Sequence, residues 1–288
     1  MALDTNSYAL PVARSIEDLR AAVAGWVMKG ETVALVPTMG ALHAGHLSLV
    51  DLAREKADHV VVSIFVNPTQ FAPHEDLDAY PRQEAADANA LADKASLIFA
   101  PTAQEMYPEG FSTTVSVFGV SEPLEGSFRP THFAGVATIV SKLLLAALPD
   151  IAIFGEKDWQ QLMVIRRMVR DLNIPVEILG GPIMREADGL AMSSRNVYLS
   201  PEERRIAGEL NVILRETAKM AAGGTPVSQA VKEGGERILA AGFDTLDYLE
   251  IRHAASLAPF EDDKAHGDAR ILVAAKIGRT RLIDNMPV

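Results

Sequence analysis

The chain predicts an α/β fold, with a parallel-sheet domain over residues 1–183 and a smaller α+β domain over residues 184–288. Two observations carry that reading. Short apolar runs alternate with helical patterns at a spacing of roughly thirty residues, the rhythm of strand–helix–strand units. The alternation stops after Gly180-Gly181-Pro182, where two long helical patterns and then three strand patterns follow.

Each element has a local reason. Thr32 opens TVALVPTMG, an apolar run ended by Pro37 and Gly40, which suits a buried strand feeding a turn. The segment LHAGHLSLVDLAREKA then sets Leu42, Leu49, Leu52 and Ala53 at helical spacing. A strand over His59–Asn67, a helix over Glu84–Asp93 and a strand over Ser96–Pro101 follow. His132–Leu148 places Phe133, Val136, Ala137, Val140, Leu143, Leu144 and Ala147 on one stripe, the pattern of a core helix. Asp150–Phe154 reads as a strand, Lys157–Asp171 as a helix and Val176–Leu179 as a strand. A parallel sheet covered on both faces is Rossmann-like, and such sheets take ligands at the carboxyl ends of their strands.

In the second domain, Ser200-Pro201-Glu202-Glu203 combines an N-cap, a proline at the first helical position and a glutamate at the third. Ile206, Leu210, Ile213, Leu214 and Ala221 form that helix's apolar face, and Gly223-Gly224 ends it. A second helix is expected over Thr225–Ala241, then strands in LDYLEIR, ARILVAAKI and RTRLIDN, the last two joined by a turn at Gly278.

Composition narrows the functions. Hydrophobic residues make up 48% of the 288 residues, enough for a full core. A net charge of −11 repels phosphate backbones and anionic lipid, which argues against nucleic-acid or membrane partners but not against small phosphorylated ligands. Cysteine is absent, so disulfides, thiolate metal clusters and cysteine nucleophiles are excluded. The first thirty residues lack a signal-peptide pattern, and Val136–Leu148 is too short and too charged at Lys142 to span a bilayer. The expected location is cytoplasmic.

The densest chemical signal is Pro37-Thr38-Met39-Gly40-Ala41-Leu42-His43-Ala44-Gly45-His46, between a strand and a helix. Two histidines three apart share one face of the first helical turn. Amide N–H groups and the positive dipole end favour an anion there, and the same field favours neutral imidazoles that donate hydrogen bonds. A His-x-x-His pair alone also fits a surface coincidence; a zinc site would need a third ligand that no nearby spacing supplies. Asn67-Pro68-Thr69-Gln70 leaves a strand end, where Gln70 can bind a small hydroxy acid or simply cap a loop. Gly155-Glu156-Lys157-Asp158 opens a helix after a strand, suited to phosphate oxygens or to a solvated charge run. Met192-Ser193-Ser194-Arg195 supplies hydroxyls, amides and a guanidinium that can wrap a triphosphate, though such a loop is commonplace.

Together these segments resemble the pantothenate synthetase (pantoate–β-alanine ligase) family. PTMGALHAGHLSLV resembles its His-x-Gly-His segment, shared with nucleotidyltransferases and class I aminoacyl-tRNA synthetases. SIFVNPTQF, FGEKDWQQL and MREADGLAMSSRNVYLS agree in order and spacing, as do RPTHFAGV (Arg129–Val136) and DLDAYPR (Asp76–Arg82). The resemblance spans essentially the whole chain.

It implies ATP-dependent ligation of pantoate and β-alanine through a pantoyl adenylate, with AMP and pyrophosphate released. ATP would be contacted by Met39, Gly40, Ala41, Leu42, His43, Ala44, Gly45, His46, Gly155, Glu156, Lys157, Asp158, Met184, Met192, Ser193, Ser194 and Arg195. His46, His43, Lys157 and Arg195 would be catalytic, and Asn67, Gln70, Gln161 and Arg129 would bind pantoate or β-alanine. It also implies Mg²⁺, a cytoplasmic homodimer, and closure of the 184–288 domain over ATP. After Tyr80-Pro81-Arg82, where the family often carries several acids, Asp87 is in register, but Ala86 and Ala90 offer no metal ligand. The metal's protein ligands are therefore unknown, and phosphate and water are expected to supply most of its coordination. Two rivals remain: a nucleotidyltransferase that leaves AMP on its product, and a non-catalytic nucleotide sensor. A tRNA synthetase is disfavoured by the charge and by the lack of an anticodon-sized extension.

Overall fold

A computed structural model describes residues 8–71, 77 and 80–288, so Asp76, Asp78 and Ala79 of the Asp76–Arg82 motif lie outside the described residues. The chain forms two compact units. One comprises Met1–Phe118, Arg129–Glu156 and Val164–Pro182; the other comprises Gly119–Phe128, Lys157–Met163 and Ile183–Val288.

The first unit is built on six parallel strands: β1 (Val12–Ala13), β2 (Val33–Thr38), β3 (His59–Ile64), β4 (Leu97–Phe99), β5 (Ile151–Gly155) and β6 (Glu177–Gly181). Their spatial order is β1-β4-β3-β2-β5-β6. From β2 the chain steps to β3 and β4 on one side, then returns to β5 and β6 on the other. The direction reverses between β2 and β5, and a crevice at the carboxyl ends of two such strands is where ligands bind in open α/β sheets. The expected Rossmann-like sheet is present.

Helices α1 (Ile16–Val27), α2 (Ala44–Arg54), α3 (Glu84–Leu91), α4 (Ala103–Met106) and α6 (His132–Ala147) belong to this unit. Leu49, Val50 and Ala53 of α2 join Ala34 and Val36 of β2, Val60 and Val62 of β3 and Ile153 of β5 in one apolar core. Helix α6 is buried well beyond the expected stripe, since Thr138, Ile139, Ser141 and Ala146 are also inside. The expected helix at Lys157 begins later: Glu156–Asp158 forms a 3₁₀ turn, and α7 runs Trp159–Asp171. The strand expected to stop at Leu179 continues through Gly180 and Gly181.

The second unit contains α5 (Glu125–Phe128), α8 (Pro201–Ala222), α9 (Val227–Ala240) and an antiparallel sheet of β7 (Thr245–His253), β8 (Ala269–Ile277) and β9 (Thr280–Pro287) in that order. Ser200 accepts from the Glu203 N–H while the Glu203 carboxylate accepts from the Ser200 N–H, so the expected capping box forms. Leu210, Ile213 and Leu214 of α8 pack with Ile238 of α9 and Ile271, Val273 and Ala275 of β8. Segment Gly119–Phe128 is tied to this sheet by buried charge. Tyr248 donates to Glu125 at 2.9 Å, and Arg281 bonds both Glu125 (2.8 Å) and Asp247 (2.7 Å). Burial, reinforced by the Glu125 carboxylate, pushes the Tyr248 phenol well above its ordinary range.

Candidate active site

Strand β2 ends in a turn that a single carboxylate organises. Gly40 and Ala41 both have positive φ, 80° and 51°. The left-handed conformation at Ala41 costs about 1 kcal/mol for an L-residue. Asp87 of α3, only 1% exposed, offsets this by accepting from the Ala41 N–H at 2.9 Å and the Leu42 N–H at 2.8 Å. A Cβ at Gly40 would lie 3.0 Å from that carboxylate and 3.1 Å from Ile64. Thr38 completes the turn: its hydroxyl donates to Ser63 O and accepts from the Gly40 N–H.

The turn delivers His43 as the N-cap of α2, with an extended backbone. Its Nδ1 accepts from the Gly45 N–H at 3.1 Å, and the His46 Nδ1 accepts from the His43 N–H at 3.4 Å. Backbone amides only donate, so neither Nδ1 carries a proton, and both imidazoles are neutral with the proton on Nε2. The ring centroids are 4.1 Å apart. The sequence suggested that open amides would greet an anion. Instead the amides of Gly40, Ala41, Leu42, His43 and Gly45 already have partners, the last two in the imidazole Nδ1 atoms of His46 and His43.

After β3, the 3₁₀ turn Pro68–Gln70 places Gln70 near the same motif, its Nε2 donating to Met39 Sδ at 3.1 Å. Asn67, 1% exposed, has all its hydrogen-bonding capacity engaged within the protein. Its Nδ2 donates to Gln70 Oε1 and Gly135 O, while its Oδ1 accepts from the Tyr107 and Thr69 hydroxyls. It therefore orients Gln70. Burial raises the Tyr107 phenol above its usual range, which keeps it protonated and donating. Gln70 O accepts from His132 Nδ1 at 3.0 Å and from Arg129 Nη2 at 3.4 Å, and Arg129 Nη1 donates to His132 Nε2 at 3.3 Å. A Cβ at Gly135 would fall 2.5 Å from Thr69 O, so α6 approaches this turn as only glycine allows. The first unit thus brings Met39–His46, Asn67, Gln70 and Arg129 together; Asp87, Tyr107 and His132 are supports that the sequence reading did not assign.

Gly155 ends β5 and Glu156 opens the 3₁₀ turn after it, both in the first unit, whereas Lys157, Asp158 and Gln161 belong to the second. Lys157 Nζ lies 4.0 Å from the Asp158 carboxylate, and Gln161 is half-buried on α7. Its neighbour Gln160 is structural, donating to Val120 O and Pro123 O and accepting from the Glu125 N–H. Met184 and Met192 face each other, the Met192 N–H donating to Met184 O at 2.9 Å. Arg185, beside Met184, is clamped through both terminal nitrogens by buried Asp284 at 2.7 and 2.9 Å. Ser193 Oγ caps the 3₁₀ turn Ser194–Tyr198 by accepting from the Arg195 N–H at 3.2 Å. Met184 is therefore joined to the Met192–Arg195 loop within this unit.

The donor set does not form a protein cage for Mg²⁺. Each Asp87 oxygen is already bonded to a backbone N–H, and the described residues contain no group of three or more metal-ligating side chains.

The sequence model of the pantoate-beta-alanine ligase family matches residues 11–287. The chain belongs to that family. It is an enzyme, a ligase, and its relatives match over nearly their whole length. The pantothenate synthetase of Mesorhizobium japonicum is 56% identical over 278 residues, covering 96% of this chain and 97% of that protein. That of Paramagnetospirillum magneticum is 57% identical over 283 residues, covering 98% and 99%. Among solved structures, the pantothenate synthetase of Thermus thermophilus superposes with a TM-score of 0.90 at 47% identity, covering 96% of this chain and 98% of that one. The pantoate-beta-alanine ligase of Francisella tularensis, solved with beta-gamma ATP and β-alanine, gives 0.81 at 34% identity, covering 96% and 97%. No helix among the described residues is long and apolar enough to cross a membrane.

Proposed function

We propose that this member of the ligase family joins (R)-pantoate to β-alanine at the expense of ATP, releasing AMP and pyrophosphate. The observation that carries the reading is the pair of neutral imidazoles at the end of β2, beside the point where the sheet reverses direction. The Francisella ligase, with its nucleotide and β-alanine, supports ATP and β-alanine as substrates.

A carboxylate is a poor electrophile, so the acid must first be activated. One pantoate oxygen attacks the α-phosphorus of ATP in line, and the bond to the pyrophosphate oxygen breaks. The β-alanine amine then adds to the carbonyl carbon of the adenylate and loses a proton. The carbon–oxygen bond to AMP breaks, so the pantoate oxygen departs on AMP. No protein nucleophile is needed.

His43 and His46 donate Nε2–H bonds to the phosphate oxygens as charge develops, while Lys157, Ser193, Ser194 and Arg195 stabilise the triphosphate. Gly155, Glu156 and Asp158 line the ribose and phosphate side, Met184 lies on the adenine side, and Met192 belongs to the loop that wraps the triphosphate. Gln70, Gln161 and Arg129 hold pantoate or β-alanine, and Asn67 acts by fixing the Gln70 amide. ATP is expected as its magnesium complex, with phosphate and water coordinating the ion. We assign the lid role to residues 184–288 and propose a cytoplasmic homodimer.

His46→Ala tests the assignment. Pyrophosphate release from ATP and pantoate should fall about a hundredfold or more, the loss typical of removing one transition-state donor, with an unchanged far-UV circular dichroism spectrum. Release at the parent rate would refute it.

A further inference from the structure

Lys157 sits in the 3₁₀ turn Glu156–Asp158, and its backbone is held by the C-terminal sheet of the second unit. Strands β8 and β9 pair so that Leu272 faces Asn285 and Arg270 faces Pro287, which sets Arg270 and Asn285 diagonally on one face. Both are buried, at 7% and 2% exposure. The Arg270 guanidinium lies 3.4 Å over the centre of the Trp159 ring and donates to Asn285 Oδ1. A guanidinium only donates, so the Asn285 amide is oriented without ambiguity. Its Nδ2 must face away from Arg270, and it donates to Lys157 O at 2.8 Å. Trp159 is also held at its ring edge, its Nε1 donating to Ala254 O at 2.8 Å. Residues 157 and 159 are thus gripped together by one Arg–Asn pair.

We propose that Asn285 is a positioning residue for Lys157: its amide, set by Arg270 against Trp159, fixes the backbone from which the lysine reaches the triphosphate. The inference rests on the proposed role of Lys157. A plain stabilising contact would raise the melting temperature without discriminating among substrates. A positioning contact acts through the lysine, and its loss is read in the ATP-dependent step.

The decisive variant is Asn285→Asp. It keeps an acceptor for Arg270, now as an ion pair, but removes the N–H that meets Lys157 O. The full chain is assayed for steady-state pyrophosphate release with ATP, pantoate and β-alanine. For Asn285→Asp, kcat/KM for ATP should fall about ten- to a hundredfold, the scale of a small misplacement of a reacting group, with the KM for β-alanine unchanged, both read at a temperature where the variant remains folded. In a Lys157→Ala background the same substitution should cost nothing further. Asn285→Ala, which also removes the N–H, should show the same loss. A folded Asn285→Asp protein with the parent kcat/KM for ATP would overturn the proposal. So would an equal loss in the Lys157→Ala background, or failure of both Asn285 variants to fold, which would make the residue structural. If the parent chain releases no pyrophosphate from ATP and pantoate, the proposed function has failed first.

Discussion

Replacing Asp87 with alanine removes the one side chain that satisfies two amides of the turn after β2. The carboxylate accepts at 2.9 and 2.8 Å from Ala41 and Leu42, and Ala41 is itself buried at 7% exposure. Leaving a buried amide without a partner costs about 1–3 kcal/mol. The Leu42 contact is only part-buried, so water replaces some of it. Relief of the carboxylate's own desolvation opposes the loss. The net destabilisation should be about 3 kcal/mol, or roughly 6–12 °C in Tm for a unit of this size. Activity should suffer beyond stability. Without its carboxylate the left-handed Ala41 relaxes, and the cap residue His43 loses the backbone direction that sets its ring. The kcat of adenylation, measured by pyrophosphate release at a temperature where the variant remains folded, should drop about ten- to a hundredfold. Asp87→Asn keeps one acceptor but turns an NH₂ toward an amide N–H, and should lose nearly as much. An Asp87→Ala protein with parental Tm and kcat would refute the reasoning. So would a defect that excess Mg²⁺ repairs, which would make the carboxylate a metal ligand.

Two further substitutions probe other supports. Gly135→Ala drives a methyl group into the Thr69 carbonyl, 2.5 Å away, and must displace the turn that carries Gln70. The KM for pantoate should rise about tenfold or more while that for ATP changes little; equal KM values for parent and variant would contradict the assigned role of the turn. Asp188→Asn tests a surface pair. The Arg204 hydrogen bond holds the Asp188 carboxyl below the usual carboxylate range. A carboxyl with a lowered folded pKa stabilises the fold above its unfolded value, about 3.9, and loses that contribution as pH falls through the folded value. The stability gap between parent and variant should thus be constant from neutral pH to about 5 and close below about 4. It should stay within about 1 kcal/mol because solvent screens the pair. A gap that widened on acidification would reverse the sign of the argument.

The architecture was legible because alternation and capping are local. The Ser200–Glu203 box and the β2–turn–α2 junction can be read within ten residues. Strand β1 could not, being only two residues long at the sheet edge. Helix α6 read as one-sided, but it is buried nearly all round because small residues let neighbours approach it closely. The site was legible as motifs and not as partnerships. Asn67 looked like a ligand contact because it ends a strand. Its capacity is taken by Tyr107 and Gly135, which stand 40 and 68 residues away in the chain. The register of Asp87 could be seen, but not that both its oxygens bind a turn 45 and 46 residues upstream. RLIDN read simply as a strand, although Asp284 and Asn285 hold Arg185 and Lys157, 99 and 128 residues distant. Periodicity reports which face is apolar; it carries no information about which distant polar group closes a hydrogen bond.

In the proposed reaction the acid is activated by forming a bond from its own oxygen to the α-phosphorus. The most direct measurement uses pantoate labelled with ¹⁸O in its carboxylate, incubated with ATP and β-alanine, with the AMP analysed by mass spectrometry. Each AMP should carry one labelled oxygen, and the amide product should have lost one. Unlabelled AMP, with both labelled oxygens retained or lost to water, would contradict this route.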